Sequence, residues 1–284
     1  MFDLKQTEEA IGFFRCFYKY KRYNIHNWIF YGGIVMSEWF ERSFGEDYLL
    51  VYKHRDMQGA EQEVHKMISW LKLDKGAAVL DLCCGMGRHS LALAEAGYEV
   101  TGVDLSKVLL REAQKNDTEQ QIKFIKADMR SLPLTQHFDA IVNLFSSFGY
   151  FETDEEHLQV LQEIKRLLVP EGKFIIDFLN PVYTMANLVP ESQRVDEGQR
   201  IQEKRSIEQG YVKKQITITD INYEGLHGTQ PERHYLERIR LYTSEDFKLL
   251  LSKAGLTLET IYGGYNGEAY NSKNSKRMIM VGSN

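Results

Sequence analysis

The stretch "VLDLCCGMGRHSLALAEAGYEVTGVDLS", running from Val79 to Ser106, decides the fold. "VLDL" is a short apolar strand, "GRHSLALAEAG" a helix closed by Gly97, and "YEVTGVDL" a second strand. Alternation gives way to helical spacing and returns, which marks a strand–helix–strand unit. The same rhythm continues outward. "SKVLLREAQKN" predicts a helix with Ser106 as its N-cap, "IKFIKAD" a third strand and "FDAIVNLF" a fourth. Thr153 and Glu156 have capping-box spacing before an amphipathic helix, and "VPEGKFIIDFLN" reads as a Pro/Gly turn entering a fifth strand. "TSEDFKLLLSKAG" is another capped helix, followed by strands at "LTLETIY" and "KRMIMVG". The class is therefore α/β, a seven-stranded mostly parallel sheet with helices on both faces.

Residues 194–242 interrupt this pattern with period-two alternation. Val212, Ile216 and Ile218 share one face, and Gln215, Thr217 and Thr219 share the other. They predict a small antiparallel β insertion, with a Gln209-Gly210 turn between its first two strands. Before the sheet, "SEWFERSFGEDYLLVYKHRD" reads as one or two short helices. "GAEQEVHKMISWLKL" is amphipathic, with Val64, Met67, Ile68 and Leu71 on one face. The expected organisation is one domain over 37–193 and 243–284, interrupted by a substrate lid over 194–242. An aromatic-rich extension over 1–36 precedes it. We expect residues 1–35 to be dispensable, with Met36 as an alternative start preceded by Gly32-Gly33. The competing reading packs Phe13, Phe14, Phe17, Trp28 and Phe30 onto the domain or into a homodimer contact.

With 284 residues, 43% of them hydrophobic, the chain can bury a full core. A net charge of −5 gives no footprint for nucleic acid or an anionic membrane surface. No apolar run reaches membrane-spanning length. "WIFYGGIVM" comes late and lacks a small-residue cleavage site, so it is a poor signal peptide. Cys16, Cys83 and Cys84 make neither a disulfide framework nor a zinc spacing, which fits a reducing cytoplasm and no metal.

A glycine-rich turn between strand and helix usually holds a nucleotide, and its neighbours say which kind. The dinucleotide fingerprint needs a third glycine where Ser90 stands, and no phosphate-loop motif is present. Asp81 closes the first strand ahead of Gly85 and Gly87. A carboxylate there repels a pyrophosphate and suits a cationic amino acid end. Asp104 closes the second strand, where it can accept both hydroxyls of a ribose, and Asp128 closes the third. The expected ligand is a nucleoside carrying positive charge and no phosphate.

These residues resemble the Rossmann-like class I S-adenosylmethionine-dependent methyltransferases over most of residues 37–284. "VLDLCCGMGRHS", "VTGVDLS", "FIKADMRSLP", "FDAIVNLFSSFGYF" and "LQEIKRLLVPEGKFIIDFLNP" fall in the family's order. "YGGYNGEAYNSKNSKRMIMVGS" is similar to the closing hairpin of its small-molecule members. The resemblance implies S-adenosyl-L-methionine as cofactor. Cys83, Gly85 and Gly87 would then face the methionine portion, Asp104 and Leu105 the ribose, and Asp128 with Met129 the adenine. Asn143 would lie near the methyl donor, with Asp81 by the charged end. Tyr52 and Arg55 would cap the cofactor, Arg55 near its carboxylate. Cys83-Cys84 departs from the family, whose loop more often has a small residue before its cysteine.

"FSSFGYF" mixes aromatics and hydroxyls after a strand end, so Phe145, Ser147 and Tyr150 are expected in a substrate wall, together with Asn180. Tyr150, His227 and His234 are the candidate bases. His89 is expected to face the helix surface or to pair locally. The insertion and the arm at 37–56 should cover the pocket from opposite sides, which favours a small-molecule methyl acceptor with an N or O nucleophile. Two other readings stay open at this level: a non-catalytic cofactor-binding module and a nicotinamide-dependent oxidoreductase.

Overall fold

The computed structural model describes residues 30–31, 34–35, 39–53, 57–221 and 231–284. The expectations for most of the leader, for Arg55 and for His227 lie outside the described residues. The chain divides into two compact units, Met1–Ser37 and Glu38–Asn284. Within the first, β1 (Phe30–Tyr31) pairs antiparallel with β2 (Ile34–Val35).

The second unit is built on the sheet. Its strands are β3 (Ala78–Leu82), β4 (Glu99–Asp104), β5 (Lys123–Lys126), β6 (Phe138–Asn143), β7 (Leu168–Leu179), β12 (Thr257–Tyr262) and β13 (Arg277–Ser283). Their spatial order is β12-β13-β7-β6-β3-β4-β5. Strands β3 to β7 run parallel, and β13 enters antiparallel to β7. The chain leaves β3 toward β4 and β5, then returns to the other side of β3 with β6. This reversal is the crevice where open α/β sheets bind ligands.

Both sheet faces are covered, which is why the strands are nearly continuous apolar runs. On β7, Phe174, Ile176 and Phe178 point to one core and Ile175 to the other. The first core takes Val160, Leu161 and Ile164 of α6 (Asp154–Leu167) with Phe247 and Leu251 of α8 (Ser244–Ala254). The second takes Val64, Met67 and Leu71 of α3 (Met57–Leu71) with Leu93 of α4 (Arg88–Glu95). Local signals set the helix ends. Ser106 Oγ accepts from Leu109 N–H at 3.2 Å to start α5 (Lys107–Asn116), and Thr153 with Glu156 forms the capping box of α6. No helix among the described residues is long and apolar enough to cross a membrane.

The second sheet has four strands: β8 (Glu191–Asp196), β9 (Gln199–Glu208), β10 (Tyr211–Asp220) and β11 (Glu232–Arg240). It begins at Glu191, earlier than the alternation announced, because β8 is exposed along most of its length. Gln209-Gly210 therefore joins the second and third strands. Glu197-Gly198 makes the first turn, and all four turn residues have positive φ, as tight hairpin turns require. The expected turn within "VPEGK" is absorbed into β7. Opposite Phe138 and Ala140 the register jumps from Leu168 to Lys173, with Glu171 at φ 65°.

The arm forms α1 (Trp39–Ser43) and α2 (Glu46–Val51). The arm and the inserted sheet do not sit on opposite sides of the pocket. Val51 and Tyr52 share a small core with Ile201, Ile216 and Ile218.

Candidate functional site

A cavity of about 410 Å³ lies over the carboxyl ends of β3 to β6. Its floor comes from those strand ends, and its roof comes from the arm and the inserted sheet.

The glycine turn starts the floor. Cys83, Gly85 and Gly87 all have positive φ, and Gly87 is the N-cap of α4. A Cβ on Gly85 would meet no atom within 4 Å, so the turn leaves open space there. Gly87 stands behind the cavity lining, where a Cβ would press on Ala113 at 3.0 Å and Phe124 at 3.1 Å. Burial pushes the Cys83 and Cys84 thiols well above their ordinary range, and the nearby aspartates push in the same direction. Both environments favour the neutral thiol over the thiolate.

The three strand-end acids converge. Asp81 is buried and accepts from Ser90 Oγ at 2.6 Å. Ser90, at the position of the missing glycine, thus satisfies the first acid. Burial raises the Asp81 carboxyl, against the pull of His89 and Ser90. Asp104 accepts from Gly85 N–H at 2.9 Å and from Ser106 N–H at 2.8 Å. Burial lifts its carboxyl to about 6 in spite of these bonds. Asp128 is different. Burial alone would raise it, but hydrogen bonds from Arg130 outweigh that and hold it below its ordinary value. Arg130 also reaches Glu156 at 2.6 Å and lies 4.3 Å over the Phe151 ring. Leu105 and Met129 line the cavity beside their acids.

At the end of β6, Asn143 is buried behind the lining and donates to the Leu82 carbonyl at 2.9 Å. Phe145 and Ser146 follow with φ of 58° and 60°. Asp177 on β7 accepts from Phe145 N–H at 3.0 Å and from Arg277, whose guanidinium reaches Ser146 Oγ at 3.0 Å. Phe145, Ser147 and Tyr150 line the cavity. Asn180 does not. It is fully buried, caps α7 (Pro181–Ala186), and donates to the carbonyls of Ser272 and Ser275 at 2.9 and 2.7 Å. His89 lines the cavity and pairs with Glu63 at 2.8 Å, while His234 is exposed on the inserted sheet outside the lining.

The roof brings residues that sequence reading missed. Phe40, Phe44 and Tyr48 come from the arm beside the expected Tyr52, and Arg205, Val212, Lys214, Glu237 and Ile239 come from the sheet. Tyr52 O–H donates to Glu237 at 2.7 Å instead of standing apart from the insertion. Arg277 and Asp177 were missed as well.

Residues 79–172 match the family model described as a methyltransferase domain. This part of the chain is similar to methyltransferase domains, and the fold is that of class I. The chain is similar to a cypemycin N-terminal methyltransferase from Streptomyces sp., 26% identical over 76% of this chain and 87% of that protein. It is also similar to a dTDP-3-amino-3,6-dideoxy-alpha-D-glucopyranose N,N-dimethyltransferase from Streptomyces fradiae, 27% identical over 68% of this chain and 75% of that one. A 35% identical match to a Bacillus subtilis protein spans 46% of this chain and only 55% of that relative. Among solved structures, a sugar N-methyltransferase from Streptoalloteichus sp. superimposes with TM-score 0.65 at 20% identity, covering 92% of this chain and 98% of that one.

Proposed function

We propose that this protein transfers a methyl group from S-adenosylmethionine to an amine nitrogen of a small acceptor enclosed beneath the inserted sheet. The observation that carries this reading is Asp104. Its carboxylate is fixed by two backbone N–H groups at the strand end beside the glycine turn, where it can receive ribose hydroxyls. The residues fit the cofactor in other respects. The open space at Gly85 leaves the backbone accessible, buried Asp81 favours a cationic end over a pyrophosphate, and Leu105 and Met129 offer apolar surface for a base. Tyr52 would close over it from the roof. The nitrogen reading draws on relatives such as the two N-methyltransferases above.

S-adenosylmethionine supplies an activated methyl on a sulfonium, which needs no covalent help from the protein. What the chain contributes is position: the strand-end acids fix one partner and the roof the other, and alignment of this kind is worth about 7–11 kcal/mol. The roof also keeps water out.

Calorimetry with S-adenosylmethionine and with NAD tests the cofactor. Binding of the first and not the second is expected, and the reverse sinks the proposal. Transfer of a labelled methyl group to the small-molecule fraction of a cell extract tests turnover, with labelled N-methylamines expected.

A further inference from the structure

We infer that Arg205, Lys214 and Glu237, closed off by Tyr52, form the subsite that selects the acceptor, and that it takes an amine with a hydroxyl or carboxylate on a neighbouring carbon. This rests on the amine-acceptor reading above and names the residues that would recognise it.

The three side chains stand in one row across the inserted sheet. Lys214 of β10 is directly paired with Arg205 of β9 and with Glu237 of β11. All three line the cavity, and the next row, Val212 paired with Ile239, supplies an apolar border. Lys214 Nζ lies 2.7 Å from Glu237 Oε2, contacts the Tyr52 hydroxyl, and sits 4.5 Å over the Tyr52 ring. Arg205 is held by Glu203, which lies behind the row. The side chains of Lys214 and Glu237 are only 15% and 13% exposed.

An ion pair this buried is a poor way to stabilise a sheet, because packed apolar residues do as well or better. Its place on the cavity wall points to recognition. The charges also restrict what can be recognised. Arg205 is balanced by Glu203 and Lys214 by Glu237, so the row together with Glu203 is neutral, and a guest that brings only an amine or only an oxygen group would leave one of the buried groups without a hydrogen-bond partner. A guest that brings both an amine and an oxygen group can exchange partner for partner. Its amine takes Glu237, and its oxygen takes Lys214 with the Tyr52 hydroxyl. Amino sugars and α-amino acids both carry that arrangement.

The test uses ligand-observed NMR on the full chain with S-adenosylhomocysteine present. The probes are glucosamine and alanine, each paired with its deaminated counterpart, glucose and lactate. At least one amine should bind at millimolar concentration while its counterpart does not, and which pair responds separates sugar from amino acid. In Glu237→Gln that affinity should fall by about tenfold or more, with the S-adenosylhomocysteine dissociation constant unchanged. Lys214→Met should weaken the same probe. Equal binding of amine and counterpart, undiminished binding in Glu237→Gln, or no amine binding at all would overturn the inference. Because the paired-probe comparison is made on the unmodified protein, it does not depend on either variant folding. Failure of S-adenosylhomocysteine to bind would instead count against the cofactor reading, and the probes can then be titrated without it.

Discussion

Asp177 and Arg277 together clamp the turn that ends β6. The Asp177 carboxylate is fully buried and accepts from Phe145 N–H and Tyr265 O–H, each at 3.0 Å, while Arg277, bonded to its other oxygen, holds Ser146 Oγ. Phe145 and Ser146 both sit in the left-handed region, which costs a residue with a side chain roughly 1–2 kcal/mol. Two in succession persist only where surrounding bonds impose them.

Asp177→Asn removes the charge without changing the shape, leaving the half-buried Arg277 without its counterion. Breaking one side of a fully buried pair costs about 3–5 kcal/mol, and the partial exposure of Arg277 brings the expected loss to the lower end of that range or below it. Urea denaturation should show that loss in midpoint with an unchanged slope. A loss below about 1 kcal/mol would mean that solvent already compensates Arg277.

Cofactor affinity should depend on pH through Asp104. Its carboxyl titrates at about 6 because of burial, and only the ionised form offers acceptors on both oxygens beyond the Gly85 and Ser106 bonds. As pH falls below about 6, affinity should decline roughly tenfold per unit. The sign is opposite for the empty fold. A raised carboxyl contributes stability that is complete below its unfolded value and lost as pH rises through about 6. The rise in melting temperature on adding S-adenosylhomocysteine should therefore be larger at pH 8 than at pH 5. In Asp104→Asn this pH dependence should disappear.

Much of this floor was legible because each acid ends an apolar strand, and strand ends can be read from alternation and caps. Asp81, Asp104 and Asp128 needed no tertiary information. The clamp did need it. Asp177 lies inside "FIIDFL" and meets Arg277 only because β13 inserts beside β7. The acceptor row was hidden for a related reason. Lys214 faces Glu237 through the register of β10 on β11, and period-two patterning gives the face of a residue but not its cross-strand partner. Asn180 is a different case, since a signal was present. Asn before Pro181 has the form of an N-cap followed by proline at the first helical position, and the structure uses it that way.

Gly149 fixes how closely the roof approaches the floor. Its φ is +97°, its carbonyl accepts from Arg240 N–H at 2.8 Å, and an added Cβ would lie 2.9 Å from Ile239 Cγ2 and 3.2 Å from the Arg240 carbonyl oxygen. Gly149→Ala combines backbone strain with that collision. It should lower stability by about 2 kcal/mol or more and weaken acceptor probes more than S-adenosylhomocysteine. Paired calorimetry and NMR titrations would show this, and an equal loss for both would place the effect in the floor.

The roof should open as one piece. Asp47 of the arm accepts from Arg233 at 2.6 and 3.1 Å and from Tyr235 O–H at 2.5 Å, tying α2 to β11. Ser43 Oγ donates to the Leu236 carbonyl at 2.7 Å, and Arg194 bonds the Val51 carbonyl. Below these bonds lies the shared core of Val51, Tyr52, Ile201, Ile216 and Ile218, separate from the two cores that flank the main sheet. Asp47→Ala removes the Arg233 and Tyr235 ties and leaves the Ser43 and Arg194 bonds and that core in place. Native-state hydrogen exchange should then speed up together in α1, α2 and β9 to β11, while β3, β4 and β6 keep the protection of global unfolding. Faster exchange in the arm with an unchanged inserted sheet would show that the two open separately. The acceptor row would then stay assembled on the sheet when Tyr52 leaves it.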